Sequence, residues 1–567
     1  MSSKNFGRVA ALSVVIAAAL VGGMAGSRAF NRPSGATSAI ANDYSEALDL
    51  VSANYADEVN YDKAGEGAIQ GMLTALDPHS NFFSQAEYRR LLQDQESRFT
   101  GIGVSILRHR DGVYVQTPLE GTPAAKAGLR FGDRIVEVDG KDAREWTTQE
   151  VSKAVRGPEG ERVTLKIERA GALAPLFFTV ARAYVPQPSV RNSFMIRPGV
   201  GYIGLTGGFT KTTSGELKKA LDDLSEAGAR QIVLDLRNNP GGLLPESINV
   251  ASHFIPRGET VVSVRGRASD EVTRYENVAT DPVDHPLVVL INRNSASASE
   301  IVAGAIQDHG RGLIVGETSF GKGLVQKVFP LPLGAGLTLT TAKYYTPYGR
   351  SIQRDYTGGS FYDYYVRHEE EPAPAPPHKP TQVAPTGVPL NEPTPQPTPA
   401  PKANGPAIRT AGGRVYYGGG GITPDYEVKP LDLTRPTRAR VFEASFHFVR
   451  QLVGGQIAGL ESYRLNEGPQ LGRYPRAGEL AVSDKVLEAF REFVRRDKEL
   501  GLSVAQVDAD LDYVKLRLRD DLITAAYGGD AAGRFLLEGD PQILRALELL
   551  PEAKTLAENV GGARARN

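Results

Sequence analysis

The chain contains no cysteine, no excess of either charge and no clustering of its histidines. The first absence excludes disulfides, thiolate nucleophiles, cysteine-bound zinc and iron–sulfur clusters. The second, 65 Lys and Arg against 66 Asp and Glu for a formal charge of −1, argues against a nucleic-acid-binding surface spread over the whole protein, although it is blind to a local basic patch. The eight histidines are scattered, no two at metal-ligand spacing, so neither a histidine-rich metal site nor a cofactor is expected. No Gly-x-Ser-x-Gly elbow occurs either. What is present is an ordinary globular composition, 41% hydrophobic and 23% charged over 567 residues, enough for about three or four domains. Its chemistry must come from Ser, Thr, Lys, Asp, Glu or backbone groups.

Residues 1–30 read as a targeting segment: Lys4 and Arg8 flank an apolar stretch, Val9 to Gly26, broken only by Ser13. Its length falls between the core of a cleavable signal, about 7–15 residues, and the roughly 20 of a spanning helix. Ala25-Gly26-Ser27 suits cleavage, Gly22 and Gly23 suit a weak anchor, and both readings stay open. With the positive charges left inside, the rest is expected to be exported to the periplasm or cell envelope, free or anchored to the inner membrane.

Helical periodicity from Ile40 to Leu76 defines an N-terminal helical region (40–97), with Asp77-Pro78-His79-Ser80 as the stop. Short β-runs follow between Phe99 and Ala183, with Asp139-Gly140 as a hairpin turn, in a β-rich region (98–184). From Val200 to Thr341 strand-like runs (Ile232–Leu236, Leu287–Ile291, Gly312–Val315) alternate with helical stretches, which predicts an α/β core (185–360). Between Pro372 and Pro406, 13 of 35 residues are proline. Such a segment makes no core and reads as an extended insertion (361–407). A Gly-rich, strand-like return (408–432) precedes a C-terminal helical region (433–567), in which Ser483 caps one helix and Asp540-Pro541 opens another. The expected fold class is α/β and multidomain. No internal repeat stands out.

Three segments carry candidate chemistry. Asn294-Ser295-Ala296-Ser297-Ala298-Ser299-Glu300 follows an apolar strand and opens a helix, so a serine there would meet the N–H groups of a helix N-terminus, unless the small residues merely cap it. Gly316-Glu317-Thr318-Ser319-Phe320-Gly321-Lys322-Gly323 is a near miss of a phosphate-binding loop. Gly323 supplies no hydroxyl for Mg²⁺, and the strand-like run after it replaces the helix such a loop requires. Lys322, between glycines and apolar sequence, suits another role: burial lowers a lysine pKa, and a neutral amine can deprotonate a serine. Gln326, four residues on, could fix that amine. A Ser-His-Asp triad would need His285 or His309, and neither sits in a segment like a catalytic loop. The third segment, Leu236-Arg237-Asn238-Asn239-Pro240-Gly241-Gly242, ends a strand in a turn that can present backbone N–H groups.

Together with Leu76-Asp77-Pro78-His79-Ser80 and Gly101-Ile102-Gly103-Val104, these segments resemble, in order, the carboxyl-terminal (tail-specific) processing proteases, from about Tyr44 to Glu427 apart from the proline-rich insertion. The resemblance implies an α/β serine protease core with an inserted PDZ domain. Ser297 would be the nucleophile, Lys322 the general base and Gln326 its orienting partner. An oxyanion hole would form from the N–H of Ala298 and that of Gly241 or Gly242. Thr100, Gly101, Ile102, Gly103 and Val104 would receive the carboxylate of an apolar protein C-terminus. Arg156 is a candidate for coupling peptide occupancy to the core, with an ordinary surface arginine as the alternative. Neither cofactor nor nucleotide nor nucleic acid is implied. The partners are protein or peptide substrates, with membrane attachment and an oligomer left open. The competing class is a catalytically silent PDZ scaffold.

Overall fold

The computed structural model describes residues 35–267, 269–279, 281–355, 405–410, 413–433, 435–476 and 478–564. The predicted targeting segment and nearly all of the proline-rich insertion lie outside these residues. The chain divides into two units, Met1–Leu76 and Asp77–Asn567. The first contains helices Gly35–Asn54 and Tyr61–Thr74, the second of which starts at an Asn60 side chain that accepts from the Lys63 N–H (3.0 Å). Of their periodic apolar residues, Leu73 is buried, whereas Ile40, Tyr44, Val51 and Met72 are exposed.

The second unit is built on a six-stranded sheet in the order Val190–Arg197, Val200–Leu205, Gln231–Asp235, Leu287–Ile291, Leu313–Gly316, Tyr426–Glu427. All neighbours are parallel except the first pair. Strands buried on both faces must be apolar throughout, and Leu287–Ile291 is. Alternate residues Leu287, Val289 and Ile291 pack with helices Thr213–Glu226, Leu244–Ser252 and Ala298–Asp308. Val288 and Leu290 face Ile543, Ala546 and Leu550 of the last helix, Pro541–Arg564. That helix is therefore part of the α/β core, and the Gly-rich return closes the sheet edge at Tyr426–Glu427. Arg237 ties the two together, binding Asp235 (2.7 Å) at the end of its strand and Asp540 (2.6 Å) and Gln542 (2.7 Å) at the helix start.

A second, antiparallel sheet carries Asn81–Phe83, Gly336–Tyr345, Thr260–Gly266 and Ser269–Glu276, with Leu324–Pro330 also paired to Gly336–Tyr345. The β-rich region forms a separate sheet, Val104–His109, Gly112–Pro118, Arg134–Val138, Arg162–Glu168, Leu176–Ala181, with helices Pro123–Ala127 and Thr148–Val155. Asp139 and Gly140 both take positive φ (48° and 77°), the turn predicted for them. Strand Arg98–Gly101 leads into this region and pairs with Ala183–Pro186, which leads out. Entry and exit thus lie side by side, as an insertion into another domain requires. Of the remaining C-terminal helices, Pro436–Val453, Asp484–Arg496, Val504–Ala509 and Leu511–Tyr527 share a core with Tyr114 and Phe131 of the β-rich region.

Candidate active site

The three candidate segments all leave the C-terminal ends of neighbouring parallel strands: Asp235 lies opposite Leu290, and Ile291 opposite Gly316. Loops at that edge are where open α/β sheets place their sites. The structure distinguishes the serines. Ser295 is fully buried and donates to Leu236 O (2.9 Å); Ser299 is fully buried and donates to Asn239 O (3.0 Å). Both are committed to the loop after Gln231–Asp235. Ser297 is partly exposed, at the N-cap of Ala298–Asp308, with φ 57° and ψ −113°. A non-glycine residue there is strained by about 1–3 kcal/mol, a cost the surrounding hydrogen bonds must offset.

Lys322 Nζ donates to Gln326 Oε1 (2.8 Å), and the Gln326 amide donates in turn to the His79 carbonyl. With both ends engaged, the amide presents its oxygen to the lysine. His79 is held by the motif around it: Asp77 Oδ1 accepts from the N–H groups of His79 (2.8 Å) and Ser80 (2.9 Å) and from Thr340 Oγ1 (3.1 Å). The Asp77–Ser80 segment, read from sequence as a helix stop and as one motif of the resemblance, is the far anchor of the lysine's partner.

Glu300 is the centre of the site and was missed as a functional residue, although Ser-x-x-Glu is a capping-box spacing. Its carboxylate is fully buried and accepts four hydrogen bonds: from Ser319 Oγ (2.5 Å) and Gly321 N (2.6 Å) on one oxygen, and from Ser297 N (2.7 Å) and Lys322 N (2.9 Å) on the other. A single oxygen thus holds the backbones of Ser297 and Lys322 together. The Tyr344 hydroxyl does the same from the carbonyl side, bonding to Ser297 O (2.9 Å) and Lys322 O. Among the described residues no hydrogen bond joins Ser297 Oγ to Lys322 Nζ; the link between them runs through these backbone ties. Burial lowers the Lys322 pKa, against the opposing field of Glu300 and Asp77. Burial also lifts Glu300 to about 7, against its four donors, and lowers His79 to about 4, helped by Lys322.

Gly241 lies against the serine turn: a Cβ there would stand 2.7 Å from Ser297 Cβ and Ala296 O and 2.9 Å from Ala298 N, at φ +95°. Its own N–H donates to Asn239 Oδ1 (2.9 Å), whereas the Gly242 N–H has no acceptor among the described residues.

Residues 199–361 match the Peptidase family S41 model, and residues 114–169 match a PDZ domain. The Carboxy-terminal-processing protease of Bartonella bacilliformis is 40% identical over 315 residues, 55% of this chain and 72% of that protein. The Carboxyl-terminal-processing protease of Synechocystis sp. is 39% identical over 294 residues, 51% of this chain and 68% of that one. The chain belongs to the carboxy-terminal processing proteases. A solved relative, the photosystem II D1 C-terminal processing protease, is 34% identical and covers 53% of this chain and 81% of its own, with a TM-score of 0.32.

In this protease the PDZ loop is shaped from both sides. Ile102 is buried, and its carbonyl accepts from Ala124 N (2.8 Å). The Gly103 carbonyl accepts from Leu119 N (3.0 Å) and Thr122 Oγ1 (3.0 Å). Gly103 takes φ +76°, and a Cβ there would stand 2.4 Å from Thr122. The N–H groups of Ile102 and Gly103 have no acceptor among the described residues. Thr100 and Gly101 belong to the entering strand, and Val104 starts Val104–His109, the edge strand of the PDZ sheet. The Arg156 guanidinium stacks 4.7 Å from the Phe99 ring centroid, beside Gly101, so it lies next to this loop.

Proposed function

We propose that this protease is an endopeptidase with a Ser297–Lys322 dyad that captures apolar protein C-termini on its PDZ domain and cleaves without ATP. The observation that carries the reading is the set of ties at Glu300 and Gln326, which hold an accessible serine and a lysine of lowered pKa at one sheet edge. A neutral Lys322 gives one N–H to Gln326 and keeps its lone pair for the Ser297 proton. As Ser297 Oγ attacks the scissile carbonyl, the proton passes to Lys322, and the oxyanion is received by the N–H groups of Ala298 and Gly242. Gly242 is preferred to Gly241 because Asn239 already engages the Gly241 N–H. Lys322 then protonates the leaving amine, and water resolves the acyl-enzyme. Loss of one oxyanion donor in such a site costs about 100- to 1,000-fold in rate. The substrate tail adds as a strand beside Val104–His109, its carboxylate at the free N–H groups of Ile102 and Gly103. The basic and then apolar N-terminus supports an envelope location.

The test is cleavage of an unfolded protein with an apolar C-terminus, without nucleotide, by wild type, Ser297→Ala and Lys322→Ala. Activity in wild type and in neither variant is expected. Undiminished activity in Lys322→Ala would remove the lysine from the mechanism, and tail binding without cleavage by wild type would leave a scaffold.

A further inference from the structure

The eight histidines look scattered along the chain, but folding gathers two of them at a single carboxylate. His109 ends the edge strand of the PDZ sheet, while Glu443 and His447 stand one turn apart on helix Pro436–Val453; His109 and Glu443 are 334 residues apart. His109 Nδ1 lies 2.9 Å from Glu443 Oε2, and His447 Nε2 lies 3.0 Å from Glu443 Oε1. One ligand atom from each of the three residues lies within 4.8 Å of the others. A tetrahedral ion with bonds near 2.0–2.1 Å spaces its ligand atoms by about 3.4 Å, so small side-chain shifts would close the three around it. Asp111 Oδ1 stands 3.7 Å from His447 Nε2, at the margin of the cluster.

The surroundings hold these donors in place. The buried His109 ring stacks on Phe446 (centroids 3.6 Å apart, planes at 9°) and meets Tyr114 edge-on. Arg110 N donates to Glu443 Oε1 (3.0 Å), and the Tyr114 hydroxyl donates to Asp111 Oδ2 (2.8 Å), leaving Oδ1 toward His447. Imidazole donors select late first-row ions over Ca²⁺ or Mg²⁺.

We propose that His109, Glu443 and His447, with water in the fourth position, bind one Zn²⁺ or similar late first-row divalent ion that clamps the end of the PDZ edge strand to the C-terminal helical region. The site is structural and lies apart from Ser297. It was hidden from the sequence because Glu443-x-x-x-His447 offers only one histidine at helical spacing, and the other arrives from a different domain.

The test uses the untagged protein, stripped with a chelator and titrated with Zn²⁺ by calorimetry, with Co²⁺ absorption reporting the geometry. Wild type is expected to take up one ion per chain at this site with a tetrahedral Co²⁺ spectrum. Glu443→Gln and His447→Gln, checked for native circular dichroism, should each weaken binding by more than about 100-fold, beyond the 10–100-fold typical of outer-shell changes. No stoichiometric uptake by folded wild type would overturn the site and leave a hydrogen-bonded cluster. Binding that survives in either folded variant would overturn it as well.

Discussion

Replacing Glu300 with glutamine separates its two effects, on stability and on catalysis. The carboxylate accepts two hydrogen bonds on each oxygen, and an amide can accept on only one. Two donors lose their partner, at about 1–3 kcal/mol each, or about 2–6 kcal/mol together. Against this, the substitution relieves the burial that lifts the carboxyl from its ordinary 4.5 to about 7, worth about 3 kcal/mol at pH well above 7. The sign follows from proton counting: between pH 4.5 and 7 the folded state keeps a proton that the unfolded state releases, so wild-type stability falls across that window, and the glutamine variant lacks that fall. The stability deficit of Glu300→Gln should therefore be largest near pH 4.5 and shrink by about 3 kcal/mol above pH 7. Activity has no such compensation. Whichever way the amide turns, its nitrogen faces Ser297 N with Lys322 N or Gly321 N with Ser319 Oγ, and so pushes on Ser297 or on the Gly321-Lys322 backbone; a displacement near 1 Å costs about 100-fold. Urea midpoints at pH 5 and pH 8.5 and kcat for a tail-bearing substrate measure both. A variant with wild-type kcat, or with a deficit that grows with pH, refutes the assignment of Glu300 as the tie between Ser297 and Lys322.

Three further outcomes follow from the geometry. In the proposed dyad Lys322 works as the neutral amine, and burial lowers its pKa, so kcat/KM should rise with pH through an inflection below the ordinary 10.5; an inflection at or above that value contradicts the role. Ser297→Gly and Ser297→Ala should both be inactive, but glycine relaxes the φ of 57°, so its urea-derived stability should exceed that of alanine by about 1–2 kcal/mol, and equal stabilities would mean the turn is unstrained. Arg237→Ala leaves the buried Asp235 without its cation, bonded only to the Tyr202 hydroxyl and the residue-237 N–H, and frees the start of the last helix; a loss of about 3–5 kcal/mol with early proteolysis near residue 540 is expected, and an unchanged midpoint would show that this pair does not hold the helix.

The order of elements in the core was legible because strands such as Leu287–Ile291 are apolar throughout and helix starts carry their caps, as Ser483 and Asp540 do. Ser297, Lys322 and Gln326 stood out because local motifs carry them, and a four-residue step brings Gln326 back to Lys322. The partner at the other end of Gln326 is the carbonyl of His79, 247 residues away, and no local pattern announces a backbone oxygen. Glu300 did carry a signal, the capping-box spacing, but that spacing also occurs in any capped helix; only its burial, with Gly321 and Lys322 folded back upon it, sets it apart. The apolar spacing of the C-terminal helices likewise predicts that each buries a face without saying against what. Local periodicity and turn chemistry thus determined which segments become helices, strands and reactive loops. Tertiary structure alone decided which carbonyl orients the lysine, which glycine keeps a free N–H, which helix covers the sheet and which histidines meet, since those choices rest on contacts between residues hundreds of positions apart.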